Sequence, residues 1–184
     1  MGRNRRKPKG KKINPTLFVF CEGETEEAYI RFLKSHYRLA SIIIHPKVSG
    51  NSITRKFIDN YKKGKTTHEK DIDYLMYDLD IPEIFPRLKK IKNCILLLSN
   101  PCIELWFLLH YKNQTATVDC QHCCNELKNR KRSIYKKGEI CTKLRERLSN
   151  KKYEAIKRAI SLEEYSNPSS SIYKLLEKLE ELKK

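Results

Sequence analysis

The chain has 184 residues, enough for one ordinary domain with a sizeable core. Lysine and arginine number 39 against 22 aspartates and glutamates, a formal net charge of +17, with 39% apolar and 33% charged residues. This balance excludes a disordered acidic tail and a collagen-like chain, and no apolar run approaches the roughly 20 residues that a membrane-spanning helix needs.

The basic start is followed by no apolar stretch, so no secretory leader is expected. Seven cysteines, odd in number and scattered, do not form the regular pattern of a secreted disulfide scaffold. The expectation is a cytoplasmic protein with reduced thiols. The excess of positive charge points to a polyanionic partner, nucleic acid first, because phosphate neutralisation releases counterions whatever the base sequence. The plainer alternative is a basic protein whose lysines are only solvated.

Residues 1–14 form a basic tail carrying Arg3, Arg5, Arg6, Lys7, Lys9, Lys11 and Lys12, which has no means of building a core and is expected to order only on a phosphate backbone. Leu17-Phe18-Val19-Phe20 is a continuous apolar run, as in a parallel strand covered on both faces. It stops at Cys21-Glu22-Gly23-Glu24-Thr25, where Thr25 is the expected cap of a helix with Glu26 and Glu27 in its first turn. Tyr29, Phe32, Leu33 and Tyr37 continue that helix. Ile42-Ile43-Ile44 predicts a second strand ended by Pro46, and Ile53, Phe57, Ile58 and Tyr61 a helix closed by Gly64. Tyr74 to Tyr77 predicts a third strand, running into Asp78-Leu79-Asp80, and Cys94 to Leu98 a fourth, running into Ser99-Asn100-Pro101. Glu104 to His110 is apolar nearly all round, hence a buried helix.

Strands alternating with helices predict an α/β fold, a parallel sheet with helices on both faces, over residues 15–112. Residues 113–184 form a basic helical extension expected to pack on that core, with helices over Lys152 to Leu162 and Ser171 to Lys184. Pro168 separates those two helices, and Asn167 or a nearby serine is the expected cap of the second.

In parallel sheets, sites lie beyond the carboxyl ends of the strands. Three strands here end in polar clusters: Glu22 to Glu26, Asp78 with Asp80, and Asn100 with Glu104. Carboxylates gathered at one sheet edge either raise one another's pKa or share a cation, and their hard oxygens select Mg²⁺ or Mn²⁺. On a strand, residues i and i+2 point the same way, so Asp78 and Asp80 can face one ion. Such an ion beside a basic surface suits phosphodiester chemistry. Each residue singly has a plainer role, Asp78 and Asp80 capping the next segment and Glu26 complementing a helix dipole.

The segment from Phe18 to Glu26 resembles the first motif of Toprim domains, and Tyr77-Asp78-Leu79-Asp80 their Asp-x-Asp motif. Ser99-Asn100-Pro101-Cys102-Ile103-Glu104-Leu105-Trp106-Phe107-Leu108-Leu109-His110 is similar to the signature of one Toprim branch, the RloB-like proteins. Asn167-Pro168-Ser169-Ser170-Ser171 resembles that branch's late motif. The resemblance implies a Toprim-like core and a Mg²⁺-dependent nuclease-like site, with Glu22 catalytic and Asp78 and Asp80 as metal ligands. Glu26 would match the second glutamate of related overcoming-lysogenisation nucleases, and Glu104 would be either a ligand or a loop anchor. It also implies an effector of anti-phage abortive infection beside an ATPase partner, with RNA, tRNA included, favoured over DNA by analogy with other Toprim defence effectors. A reading of another class stays open: a non-catalytic regulatory subunit that binds nucleic acid or an ATPase.

The second basic region holds Arg130, Lys131, Arg132, Lys136 and Lys137 with Tyr135 among them, which fits either a nucleic-acid groove or a solvated helical face. Cys120 and Cys123 have the spacing of one zinc-ligand pair, but Cys141 stands alone as a second, so thiols packed on a helix are the first expectation. Cys21 is expected to be a packed thiol, Trp106 a core residue, and Asn100 and His110 groups behind the site, His110 being alternatively a packing residue or a general base.

Overall fold

The computed structural model describes residues 15–38, 43–129 and 135–183. The basic tail with Arg3, Arg5, Arg6 and Lys7, and the trio Arg130, Lys131 and Arg132, lie outside the described residues.

The elements in order are β1 (Thr16–Cys21), α1 (Glu24–Tyr37), β2 (Ile43–Val48), α2 (Arg55–Lys62), β3 (Ile72–Asp78), α3 (Ile84–Lys89), β4 (Ile95–Asn100), α4 (Ile103–Leu109), α5 (Cys120–Lys128), α6 (Thr142–Asn150), α7 (Lys152–Ile160), β5 (Ser169–Ser170) and α8 (Tyr173–Lys183). They make an α/β fold around one five-stranded sheet in the order β2-β1-β3-β4-β5. The first four strands are mutually parallel, and β5 runs antiparallel to β4.

The alternation along β1 explains the layers. Leu17, Val19 and Cys21 face a large cluster built with α1, α4 and the helices after residue 113, including Tyr29, Leu33, Trp106, Leu127, Leu144 and Leu175. Phe18 and Phe20 face the opposite way, toward Ile58 of α2 and Ile84 and Leu88 of α3. Both faces are therefore covered, and β1 is buried along its whole length, as a two-sided strand must be. All seven residues of α4 are buried, and the indole N–H of Trp106 donates to the Tyr29 hydroxyl at 2.9 Å, so the one polar atom of that ring is satisfied inside the core.

Several boundaries differ from the sequence expectation. Strand β2 continues through Pro46 to Val48, since it is an edge strand, where a missing backbone donor is tolerated. The cap of α1 is Gly23, not Thr25: Glu26 turns back so that its carboxylate accepts the Gly23 N–H at 3.0 Å. Asn167 caps no helix. Its side chain accepts from the Val118 N–H at 3.1 Å and donates to the Val118 carbonyl at 2.8 Å, clasping the connector after α4. The serines after it form β5, where Ser170 pairs with Ser99 and the Ser171 hydroxyl accepts the Leu98 N–H at 2.8 Å. A two-residue strand of serines carries no apolar alternation, so only its pairing with β4 reveals it.

Candidate functional site

The carboxyl ends of β1, β3 and β4 come level in the sheet, with Cys21 opposite Met76 and Asp78 opposite Ser99. Glu22 follows β1 directly. Its N–H donates to the Met76 carbonyl at 3.0 Å, and its carboxylate accepts the Asp78 N–H at 2.9 Å. Asp78 closes β3 and accepts the Ile103 N–H at 2.8 Å, which joins it to the first residue of α4. Glu104 follows on α4, 1% exposed, and accepts the hydroxyl of the buried Tyr135. Glu26 comes from the first turn of α1 and is 5% exposed.

Glu22, Glu26, Asp78 and Glu104 line one cleft of about 190 Å³, together with Thr25 and Lys137. The Thr25 hydroxyl, freed from capping, accepts the Gly138 N–H at 3.0 Å. Gly138 has φ of +77°, a conformation that favours glycine, and this turn sets Lys137 against the carboxylates.

The electrostatics are those of crowded acids. Burial pushes the Glu26 carboxyl up to about 7, opposed by the Gly23 N–H and reinforced by Glu22 and Glu104. Burial also raises Asp78, with Glu26, Glu104 and Glu22 adding to it. Glu22 is raised by burial, against the lowering effect of the Asp78 N–H, and again by Asp80. Lys137 is raised by Glu104. Carboxyls crowded so that burial and their neighbours make them harder to ionise form a place that a divalent cation would relieve.

Asp80 is exposed and does not line the cleft, although its charge reaches Glu22. Strand β3 ends at Asp78, so the alternation that would aim both aspartates one way stops there. Asn100 lies aside too, donating to the Tyr165 carbonyl at 3.0 Å. His110 ends α4 in the core, 1% exposed, its Nδ1 2.9 Å from the Trp106 carbonyl and burial lowering it to about 4. Lys136 is exposed and paired with Glu139 at 2.6 Å. Tyr135 offers no open stacking face: it is 4% exposed and packs beside Phe107.

The sequence reading passed over Cys102. Asp78, Cys102 and Glu104 each offer one ligand atom, all within 4.8 Å of one another, and this is the one such group of three or more among the described residues. Cys120 and Cys123 act on the Cys102 thiol, and no ligand group among the described residues joins them with Cys141. The Cys120 contact favours the Cys102 thiolate, but the Cys123 contact, burial and the nearby carboxylates outweigh it and hold the thiol protonated. Cys102 belongs to no recognisable ligand spacing; only the return of α5 against α4 brings the other thiols to it. Cys123 and Cys124 are buried on α5 and Cys120 is half-buried. Cys21 is buried in the core, where burial and Glu26 raise its thiol.

Fold and site thus define an α/β protein with an acidic cleft at the carboxyl edge of its sheet and, at that cleft, a group of side chains able to hold a metal ion. A family model described as RloB-like protein matches residues 17–179, and the chain belongs to that family. No curated protein and no solved structure matches it. No helix among the described residues is long and apolar enough to cross a membrane.

Proposed function

We propose that the chain is a Toprim-type, Mg²⁺- or Mn²⁺-dependent nuclease that hydrolyses phosphodiester bonds in the cytoplasm. The observation that carries this reading is the convergence of Glu22, Glu26, Asp78 and Glu104, from three separate strand ends, on one cleft that Lys137 also enters. Hard carboxylate oxygens in that number suit Mg²⁺ or Mn²⁺. When bound, such an ion supplies Lewis acidity toward a phosphoryl oxygen and lowers the pKa of attacking water.

The protein's own groups have the remaining tasks. Glu22 and Asp78 would hold the ion, each keeping a second carboxylate oxygen beyond the one that accepts a backbone N–H. Asp80, which the family resemblance makes a further ligand, stands exposed past β3. Glu26, with its carboxyl pushed up to about 7, is placed to take a proton from water near neutral pH. Lys137 offsets charge on a bound phosphate, and the surplus of lysine and arginine holds the rest of the backbone. RNA as substrate, an ATPase partner and a part in anti-phage abortive infection follow from the family resemblance.

Incubation with tRNA, ribosomal RNA and plasmid DNA in Mg²⁺ or Mn²⁺, wild type beside Glu22→Ala, tests the reading. Cleavage by wild type alone supports it, and the substrate consumed separates RNA from DNA. Absence of both cleavage and divalent-ion binding would overturn it and favour a non-catalytic subunit.

A further inference from the structure

Glu22 and Glu26 bring only oxygen to the cleft. Cys102 lies behind its lining, 1% exposed, with its sulfur within 4.8 Å of a carboxylate oxygen of Asp78 and of Glu104, which do line it. Cys102 and Glu104 flank Ile103 at the start of α4, and Asp78 is tied to that same start by the Ile103 N–H at 2.8 Å. These three residues therefore share one rigid corner, and Cys102, Asp78 and Glu104 do not depend on a loop to stay together.

Each carboxylate of the corner already has an orienting partner. Ile103 N–H holds one oxygen of Asp78, and the Tyr135 hydroxyl holds one oxygen of Glu104, so each retains a second oxygen for a ligand. The Cys102 thiol has those of Cys120 and Cys123, from α5, as neighbours that influence it. Metal ligands fixed by an outer layer of hydrogen bonds are the usual build of a metal site. Three protein ligands with an open fourth position are the usual set of a catalytic rather than structural zinc. Ligand atoms at zinc distances stand roughly 3.5 Å apart, so the corner needs to close by about an ångström.

We propose that Cys102, Asp78 and Glu104 form a site for a thiophilic divalent cation of the zinc class, next to the all-oxygen position at Glu22. Thiolate sulfur favours Zn²⁺ or Co²⁺ strongly over Mg²⁺, so the choice of ion is made by Cys102. The sharing of Asp78 makes this inference rest on the reading that the cleft holds divalent ions. Zinc at this corner would compete with a hard ion at Glu22 for that one carboxylate.

Co²⁺ serves as the spectroscopic probe, since a thiolate ligand produces a near-ultraviolet charge-transfer band that oxygen ligands do not. Wild-type protein, reduced and metal-free, is titrated with Co²⁺, and Mn²⁺ binding is followed separately through loss of the free-ion magnetic-resonance signal. The expected result is a thiolate–cobalt band at one equivalent, displaced by Zn²⁺ and not by Mg²⁺. Cys102→Ser is expected to lose the band and weaken Zn²⁺ binding by more than about tenfold while keeping Mn²⁺ binding. Glu104→Gln weakens the band as a second variant, and Cys94→Ser and Cys141→Ser retain it. Mn²⁺ binding with no thiolate band would overturn this site and leave the hard-ion reading intact. A band that persists in Cys102→Ser, or vanishes in Cys94→Ser or Cys141→Ser, would also overturn it. No binding of either ion would overturn both readings together.

Discussion

Tyr135 donates its hydroxyl to the carboxylate of Glu104, both of them buried, and so ties the chain beyond the first four strands to the acidic cleft. The contact crosses 31 positions of sequence and joins a residue of the basic region to the second residue of α4. Tyr135→Phe removes the donor and leaves a buried carboxylate with less compensation, at a cost of about 1–3 kcal/mol. The double variant with Glu104→Leu should be less than additive, because the partner stranded by the first change is gone. Urea denaturation of the four proteins measures both quantities.

The second prediction concerns pH. In the fold the Glu26 carboxyl is raised from 4.5 to about 7, first by burial. A raised acid binds its proton more tightly folded than unfolded. Its stabilising contribution is therefore complete below about pH 4.5 and is lost as pH climbs through 7, an amount of roughly 3 kcal/mol for this one group. Asp78 and Glu22 shift in the same direction and add to the slope. Glu26→Gln keeps an oxygen for the Gly23 N–H and removes the titration. Its metal-free stability is expected to match wild type near pH 5 and exceed it above pH 7. Equal pH slopes for the two proteins would contradict the assignment.

Asp78→Asn separates stability from function. The amide oxygen still accepts the Ile103 N–H, so α4 keeps its anchor. Removal of one carboxyl relieves Glu22 and Glu26, so the melting temperature in EDTA is expected to rise by a few degrees relative to wild type. Mn²⁺ or Mg²⁺ should raise the melting temperature of wild type and leave that of Asp78→Asn nearly unchanged. Differential scanning fluorimetry with and without the ion is sufficient.

The parallel sheet was legible because β1, β3 and β4 are mainly hydrophobic runs and β2 opens with one, with helical periodicity between them. The order of the acidic clusters was legible because each follows a strand directly. What escaped notice was whatever depends on contacts distant in sequence. Tyr135 beside lysines resembles an exposed stacking residue, and only its placement against Phe107 and Glu104 shows that it is buried. Asp80 shares a motif with Asp78, yet the strand ends at Asp78, two residues short of it, so the alternation no longer aims it the same way. Cys102 shows no ligand spacing at all, because its neighbours come from β3, α4 and α5 together.

The last prediction bears on the division at residue 112. Strand β5 completes the edge of β4 through Ser99–Ser170 and Asn100–Ser169 pairing. Leu127, Leu144, Leu148, Leu175 and Leu179 are buried in the same cluster as Trp106 and Leu109. The carbonyls that end α4 also depend on later residues: Arg158 donates to Leu109 O at 2.6 Å and Arg147 to His110 O at 2.8 Å. A chain cut after Lys112 would expose the apolar surface of α4 and leave those carbonyls unpaired in its absence. Each large side chain removed from this cluster is worth on the order of 2–3 kcal/mol, and five of them together are as large as the usual margin of a small domain. Residues 15–112 alone are therefore expected to lack a cooperative urea transition and to bind a dye for exposed apolar surface. A cooperative transition in that fragment would show that the later helices only decorate the sheet. Fragment 15–183 serves as the control and is expected to unfold in one step.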